Sequence, residues 1–146
     1  MLNFDQNVLI RLVGELRKSV QRLSTLAGIM EDQFVADADK VASAKYHFIV
    51  AIEACIDLCN HLISRNSFRV PEDYGDTFRV MAEVGALSPE FAELSVSMGK
   101  FRNRLVHLYW EVDDRQVHQF LGSRLQDFRR FLKEMAQYLA LSEIAE

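Results

Sequence analysis

Apolar residues recur at steps of three and four along nearly the whole chain, and that period settles the fold class. Leu9, Leu12, Leu16, Val20, Leu23 and Leu26 share one side of a segment whose other side carries Arg11, Glu15, Arg17, Lys18 and Arg22, as in an amphipathic helix. Val41, Ala44, Phe48, Ile52, Cys55, Cys59 and Leu62 repeat the pattern, and Ile49, Ile56 and Ile63 add a second apolar stripe to the same segment. A helix apolar on two sides is packed from both. Phe91, Leu94, Met98, Phe101, Leu105 and Leu108 make a further stripe, and Val117, Phe120, Leu121, Leu125, Phe128, Leu132, Met135 and Leu139 make the last. Only 6 Gly and 2 Pro interrupt 146 residues, too few turn formers for a many-stranded sheet.

The spacing predicts helices over about residues 4–29 and 40–65, joined through an acidic connection in which Asp37 or Asp39 caps the second of them. After a loop with a basic start, Arg65 and Arg69, a short helix capped by Asp76 or Thr77 is expected to end at Gly85. Ser88-Pro89-Glu90 is a helix start: a capping serine, proline in the first turn and an acid at the positive end of the dipole. A last helix is expected from Asp113-Asp114 to about Leu141. No repeat or linker divides the sequence, so we expect one all-α domain over residues 1–146, an up-and-down bundle of four long helices plus one short helix.

A net charge of -4 argues against a general positive field that coats nucleic acid, so any such contact must be local. The best apolar run, Phe48 to Ile52, stops at Glu53, far short of the roughly 20 residues that cross a bilayer. A cytoplasmic protein without a membrane partner is the expectation. Cys55 and Cys59, four apart in an apolar stripe, read as small core residues rather than a redox pair.

Two features are not explained by packing. Glu53, Asp57 and Asn60 draw a polar line along an otherwise buried helix, either a solvent-facing seam or one wall of a polar cleft. The second is the stretch Phe101 to Trp110, which sets Arg102, His107 and Tyr109 at Arg-x4-His-x-Tyr spacing beside Lys100, Asn103 and Arg104. A permanently charged guanidinium can hold a phosphodiester while an imidazole moves the proton. On a straight helix Arg102 and Tyr109 lie within about 20° of each other, but His107 is about 140° from Arg102. If Arg102 and His107 serve one phosphate, either the helix is distorted near Val106 or a second, two-fold-related copy completes the site. Singly, each residue is also compatible with a surface arginine, a satisfied histidine and an interfacial tyrosine.

Arg102-Asn103-x-x-Val106-His107-x-Tyr109, read with Ala54-Cys55-x-Asp57-Leu58-x-Asn60-His61-Leu62-Ile63 and Val70-Pro71-Glu72-x-Tyr74, resembles the HepT family of HEPN-domain toxins. The resemblance runs from the second predicted helix to the last. It implies a HEPN-type helical homodimer and a metal-independent endoribonuclease that cleaves RNA, tRNA or mRNA, by attack of the ribose 2′-hydroxyl. No metal or cofactor is implied. By the same resemblance Arg102 holds the scissile phosphate, His107 is the general acid or base, and Asn103 supports them. Tyr109 matches the position at which a MntA-like nucleotidyltransferase, the antitoxin of a type VII module, adds AMP.

Two other function classes stand beside this one. A non-catalytic HEPN helical dimer that binds a nucleotide or a nucleotidyltransferase fits the same small cationic cluster. A metal hydrolase built from His47, His61, His107 and His118 fits poorly: His47 and His61 share a helical face but lie about 21 Å apart along it, and no paired-carboxylate spacing accompanies them.

Overall fold

The computed structural model describes residues 1–145, and among these every regular element is helical. In chain order they are α1 (Gln6–Ala27), α2 (Glu31–Val35), α3 (Ala38–Arg65), α4 (Tyr74–Glu83), α5 (Pro89–His107), α6 (Asp114–Ser123) and α7 (Leu125–Leu139), with single 3-10 turns at Tyr109–Glu111 and Ser142–Ile144. The predicted all-α bundle is thus present, with two departures. The acidic connection after α1 folds into the short α2, which inserts Phe34 fully into the core. The expected last helix is divided at Arg124, whose backbone at φ -110 and ψ -9 ends α6 and opens α7. Its apolar stripe continues across the break, with Val117, Leu121, Leu125, Phe128 and Leu132 all buried. Periodicity reports the buried face of two successive helices as readily as that of one.

The starts follow cap chemistry. Asp5 accepts from the Asn7 and Val8 amides, Asp37 from Asp39 and Lys40, Ser88 from Phe91, and Asp113 from Arg115. For α4 the cap is Asp73, which accepts from the Asp76 amide at 2.7 Å. Asp76, expected as the cap, instead takes Arg69 at 2.7 and 3.1 Å. Arg69 also binds Glu83, so of the two cations at the start of that loop Arg69 is neutralised. Gly85 closes α4 at φ +85, as expected of a glycine past a helix end.

At the centre, α3 lies against α1, α5 and α7, and its stripe Val41, Ala44, Phe48, Ile52, Cys55, Cys59 and Leu62 is buried. Cys55 and Cys59 are free, fully buried thiols whose ionisation burial pushes up, as core residues should be. By length and composition α3 could cross a membrane, but 56% of its most apolar window is buried inside the fold. Its composition is that of a core helix.

α4 is brought against α5 by two glycines. A Cβ on Gly99 would stand 3.1 Å from the Gly75 nitrogen and 3.3 Å from its Cα. Only the bare backbone lets the helices approach this closely. The approach also fixes Tyr74, the residue before Gly75, over the guanidinium of Arg102 at 4.6 Å from ring centroid to Cζ.

Gly99→Ala is expected to lower stability. Added helix propensity contributes about 0.5–1 kcal/mol, while forcing a methyl onto backbone costs about 1–3 kcal/mol. A thermal melt should show a lower Tm; an unchanged or higher Tm would mean that α4 can retreat freely. A second prediction concerns His61, whose Nε2 accepts the Asp5 amide at 2.9 Å. Burial, then the Arg65 cation, hold this imidazole below the ordinary 6.5, against the opposing pull of Asp5. A depressed folded-state pKa favours the neutral ring, so its contribution is complete above 6.5 and is lost as pH falls through the lower folded value. Acidification from about pH 7.5 to about pH 5.5 should therefore lower Tm more in the wild type than in His61→Gln, whose amide does not titrate; equal pH slopes would refute this.

Candidate active site

α5 carries Arg102, Asn103 and His107 in its last two turns and ends directly after them. Helical geometry runs unbroken through His107, and the chain departs at Leu108, at φ -131 and ψ 40. Of the two alternatives, a distortion near Val106 is not what the helix shows: it breaks at Leu108, after the arginine–histidine pair. Tyr109, expected on the same helical face as Arg102, lies in the 3-10 turn beyond the helix end. Leu108, expected in the core with Phe101 and Leu105, is 40% exposed, while those two are buried. The apolar stripe ends before the helix does.

Arg102 is turned into the protein and fixed from several sides. Its side chain is 13% exposed. Nε and Nη2 donate to Glu53 Oε1 at 3.0 and 2.8 Å, Nη1 donates to Asn103 Oδ1 at 3.1 Å, and Tyr74 stacks over the plane. These bonds use one donor on each nitrogen and leave one on each Nη, so the group is oriented but still able to bind. Glu53 is thereby explained: of the polar line on α3, it is the member that holds Arg102. Asp57, on the same face, is pushed upward by burial and by the Glu53 charge, against the Arg11 and Arg102 cations. Asn60 opens onto a surface groove.

That groove runs between the C-terminal half of α3, the start of α4 and the end of α5. Asn60, Asp73, Tyr74, Thr77, Asn103 and His107 line it. Asn103 and His107, one turn apart, present amide and imidazole to the same space. Arg102 meets the groove through Asn103 and Tyr74, and no hydrogen bond joins it to His107 among the described residues. The roughly 140° that separates them on the helix is not undone within one copy. The other histidines lie apart from the groove and from each other: His47 Nδ1 is 3.4 Å from Ser19 Oγ, His61 accepts from Asp5, and His118 Nε2 is 2.7 Å from the Ile29 carbonyl.

Tyr109 is anchored by a residue that the sequence did not single out. Lys45, 5% exposed, places its ammonium 4.2 Å from the Tyr109 ring centroid, donates to the Tyr109 carbonyl at 3.4 Å and pairs with Asp114 at 3.1 Å. The buried ammonium grips the ring and backbone while the ring edge stays in solvent. Lys45 sits on the apolar stripe of α3, between Val41 and Phe48, which was the available signal: a lysine there needs a partner. Glu53 signalled itself in the same way.

A family model described as ribonuclease HepT-like matches residues 16–135. The chain belongs to this family. It is 24% identical over 126 residues to the mRNA nuclease HepT of Shewanella oneidensis, covering 86% of this chain and 94% of that protein. To the tRNA nuclease HepT of Aphanizomenon flos-aquae it is 21% identical over 143 residues, covering 98% and 97%. Among solved structures, a tri-AMPylated HEPN toxin of Shewanella oneidensis in complex with its MNT antitoxin has the same fold, with a TM-score of 0.81 at 23% identity over 89% of this chain and 97% of that one. The HepT-like match includes α3, α4 and α5, the three helices that build the groove.

Lys45→Met should leave the core packed but release the turn at Tyr109. Trp110, the single tryptophan and 76% exposed, reports on that turn. Its fluorescence anisotropy is expected to fall in Lys45→Met with little change in Tm; an unchanged anisotropy would show that Lys45 does not hold the turn.

Proposed function

We propose that this HepT-like chain is the toxin of a toxin–antitoxin pair and a metal-independent endoribonuclease. The observation that carries the proposal is the joined set at the end of α5. A deeply held arginine donates to Asn103, and Asn103 shares an open groove with an exposed histidine, in a protein with a net charge of -4. The two relatives named as nucleases support the class of reaction.

In this reading Arg102 holds the scissile phosphate with its remaining Nη donors, its fork kept in orientation by Glu53 and Asn103. The ribose 2′-oxygen attacks phosphorus, the 2′-hydroxyl proton passes to a base, and the 5′-oxygen leaves with a proton from an acid. The products carry a 2′,3′-cyclic phosphate and a 5′-hydroxyl. His107 supplies one of these proton transfers, since its imidazole is exposed in the groove. Asn103 is a positioning residue between the two.

One copy leaves Arg102 and His107 on different sides of α5, so the proposal includes a homodimer. The exposed apolar side chains Tyr46, Val106, Leu108 and Trp110 lie on α3 and around the end of α5, the two helices that also carry the polar line of Glu53, Asp57 and Asn60 and the arginine–histidine motif. A two-fold pairing over this region would bring both motifs to one cleft. The RNA is tRNA or mRNA, as the two relatives' names suggest.

Tyr109 is the proposed control point. A MntA-like nucleotidyltransferase would join its phenolic oxygen to the α-phosphorus of ATP with loss of pyrophosphate. The residue is 40% exposed beside the end of α5, so the added nucleotide would stand near His107 and compete with RNA by bulk and by charge. The AMPylated toxin bound to its MNT antitoxin supports this reading.

Incubation of the purified protein with total RNA in EDTA should give cleavage, reduced at least about 100-fold in His107→Ala and Arg102→Ala. Equal cleavage by all three proteins would overturn the enzyme and leave a binding module. After co-expression with the nucleotidyltransferase, peptide mass spectrometry should find AMP on Tyr109; an unmodified Tyr109 in a non-toxic complex would overturn the switch.

A further inference from the structure

The flank of α5 opposite α4 borders a second cavity, enclosed by α3, α6 and α7 near the break at Arg124. Its walls are the phenylalanines Phe48, Phe101, Phe120 and Phe128. Phe101 meets Phe48 and Phe120 edge to face, with centroids 5.5 and 4.9 Å apart, and Phe128 completes the wall at 6.5 Å from Phe48. The mouth is basic: Lys100, Arg104 and Arg124 surround it. Lys100 and Arg104 have no ion pair among the described residues, Arg104 donates to Gln116 Oε1 at 3.4 Å, and Arg124 pairs with Asp127.

Inside the mouth lies one carboxylate. The Asp127 side chain is 9% exposed, lines the cavity, and has a single side-chain partner, Arg124 Nη1 at 3.5 Å, the long limit of a hydrogen bond. Burial pushes its carboxyl above the usual range, opposed by Arg124. A largely buried carboxylate whose second oxygen has no protein partner and is open to solvent, in an aromatic pocket with a cationic rim, suits a flat ligand that carries hydrogen-bond donors on one edge and a negative charge at the other end.

The position of the pocket narrows the ligand. Lys100, Arg104 and His107 fall within about 60° of arc on α5, so a single ridge of side chains separates the groove of Asn103 and His107 from the phenylalanine cavity. A strand of RNA lying across that ridge would put phosphates on Lys100 and Arg104 and a neighbouring base at the cavity. We propose that this cavity is a base-recognition pocket for the RNA substrate and that it takes guanine. Guanine presents two adjacent donors, N1–H and N2–H, to the two oxygens of Asp127. Adenine and cytosine offer a donor beside an acceptor, and uracil one N–H between two carbonyls. Stacking on phenylalanine is shared by all bases, so Asp127 supplies the choice. The inference deepens the ribonuclease reading and rests on it for the nature of the ligand.

The test is calorimetric titration of the full-length wild type, Asp127→Asn and the double variant Lys100→Ala/Arg104→Ala with GMP, AMP, CMP, UMP, guanosine and decanoate, the folding of each checked by thermal melt. GMP should bind about tenfold tighter than the other nucleotides. Asp127→Asn should erase that preference while keeping residual binding, and the double variant should weaken GMP towards guanosine. In parallel, cleavage of RNAs that differ in one guanine should depend on that guanine in the wild type and lose the dependence in Asp127→Asn. Equal binding of the four nucleotides, or tighter binding of decanoate, would overturn the pocket even if RNA is cleaved. GMP binding with these variant effects in a protein that cuts no RNA would keep the pocket and refute the ribonuclease.

Discussion

The contact of Gly75 with Gly99 sets the geometry on which the candidate site depends. Because neither residue has a side chain, the start of α4 lies directly on α5, and Tyr74 is carried over the Arg102 guanidinium. α4 then forms one wall of the groove whose other walls are α3 and the end of α5. A larger residue at either glycine would lift that wall, and with it the aromatic cover of the arginine. The site is thus a product of close helix packing, while its chemical groups sit on the rims.

Two buried or nearly buried cations divide the work around the end of α5. Arg102 is held by a carboxylate, an amide and an aromatic face, all from neighbours that leave part of its fork available. Lys45 is held by Asp114 and in turn holds the ring and carbonyl of Tyr109. In both cases α3, the central helix, contributes the polar partner that orients a group near the surface. That arrangement lets a helix end carry fixed chemistry, because the orientation is imposed from the core rather than from the end itself.

The same helix end explains why the motif reads ambiguously on a wheel. A straight projection puts Tyr109 beside Arg102 and His107 far from both. The chain leaves the helix at Leu108 instead, so Tyr109 is removed from that face while the separation of Arg102 and His107 persists. The HepT-like match spans the motif, and within one copy Arg102 and His107 stay on different sides of α5.

Helix content, the buried stripes, most caps and the motif on α5 were legible in the sequence, because each depends on local spacing or on a residue's own hydrogen bonds. The apolar period could not show that the last helix is two, since Arg124 breaks the backbone without breaking the stripe. It could not place Asp73 rather than Asp76 at the start of α4, because that choice depends on Arg69 arriving from the preceding loop. It put Leu108 in the core because the stripe was extended past the point where the helix stops. The roles of Glu53 and Lys45, the contact of Gly75 with Gly99, and the cavity at Asp127 were decided only in three dimensions, because each joins residues far apart in the chain whose meeting no periodicity encodes. The sequence by itself determined which groups are present at Arg102, Asn103, His107 and Tyr109; the tertiary structure decided which of them share a space, since that depends on helix ends and packing rather than on spacing.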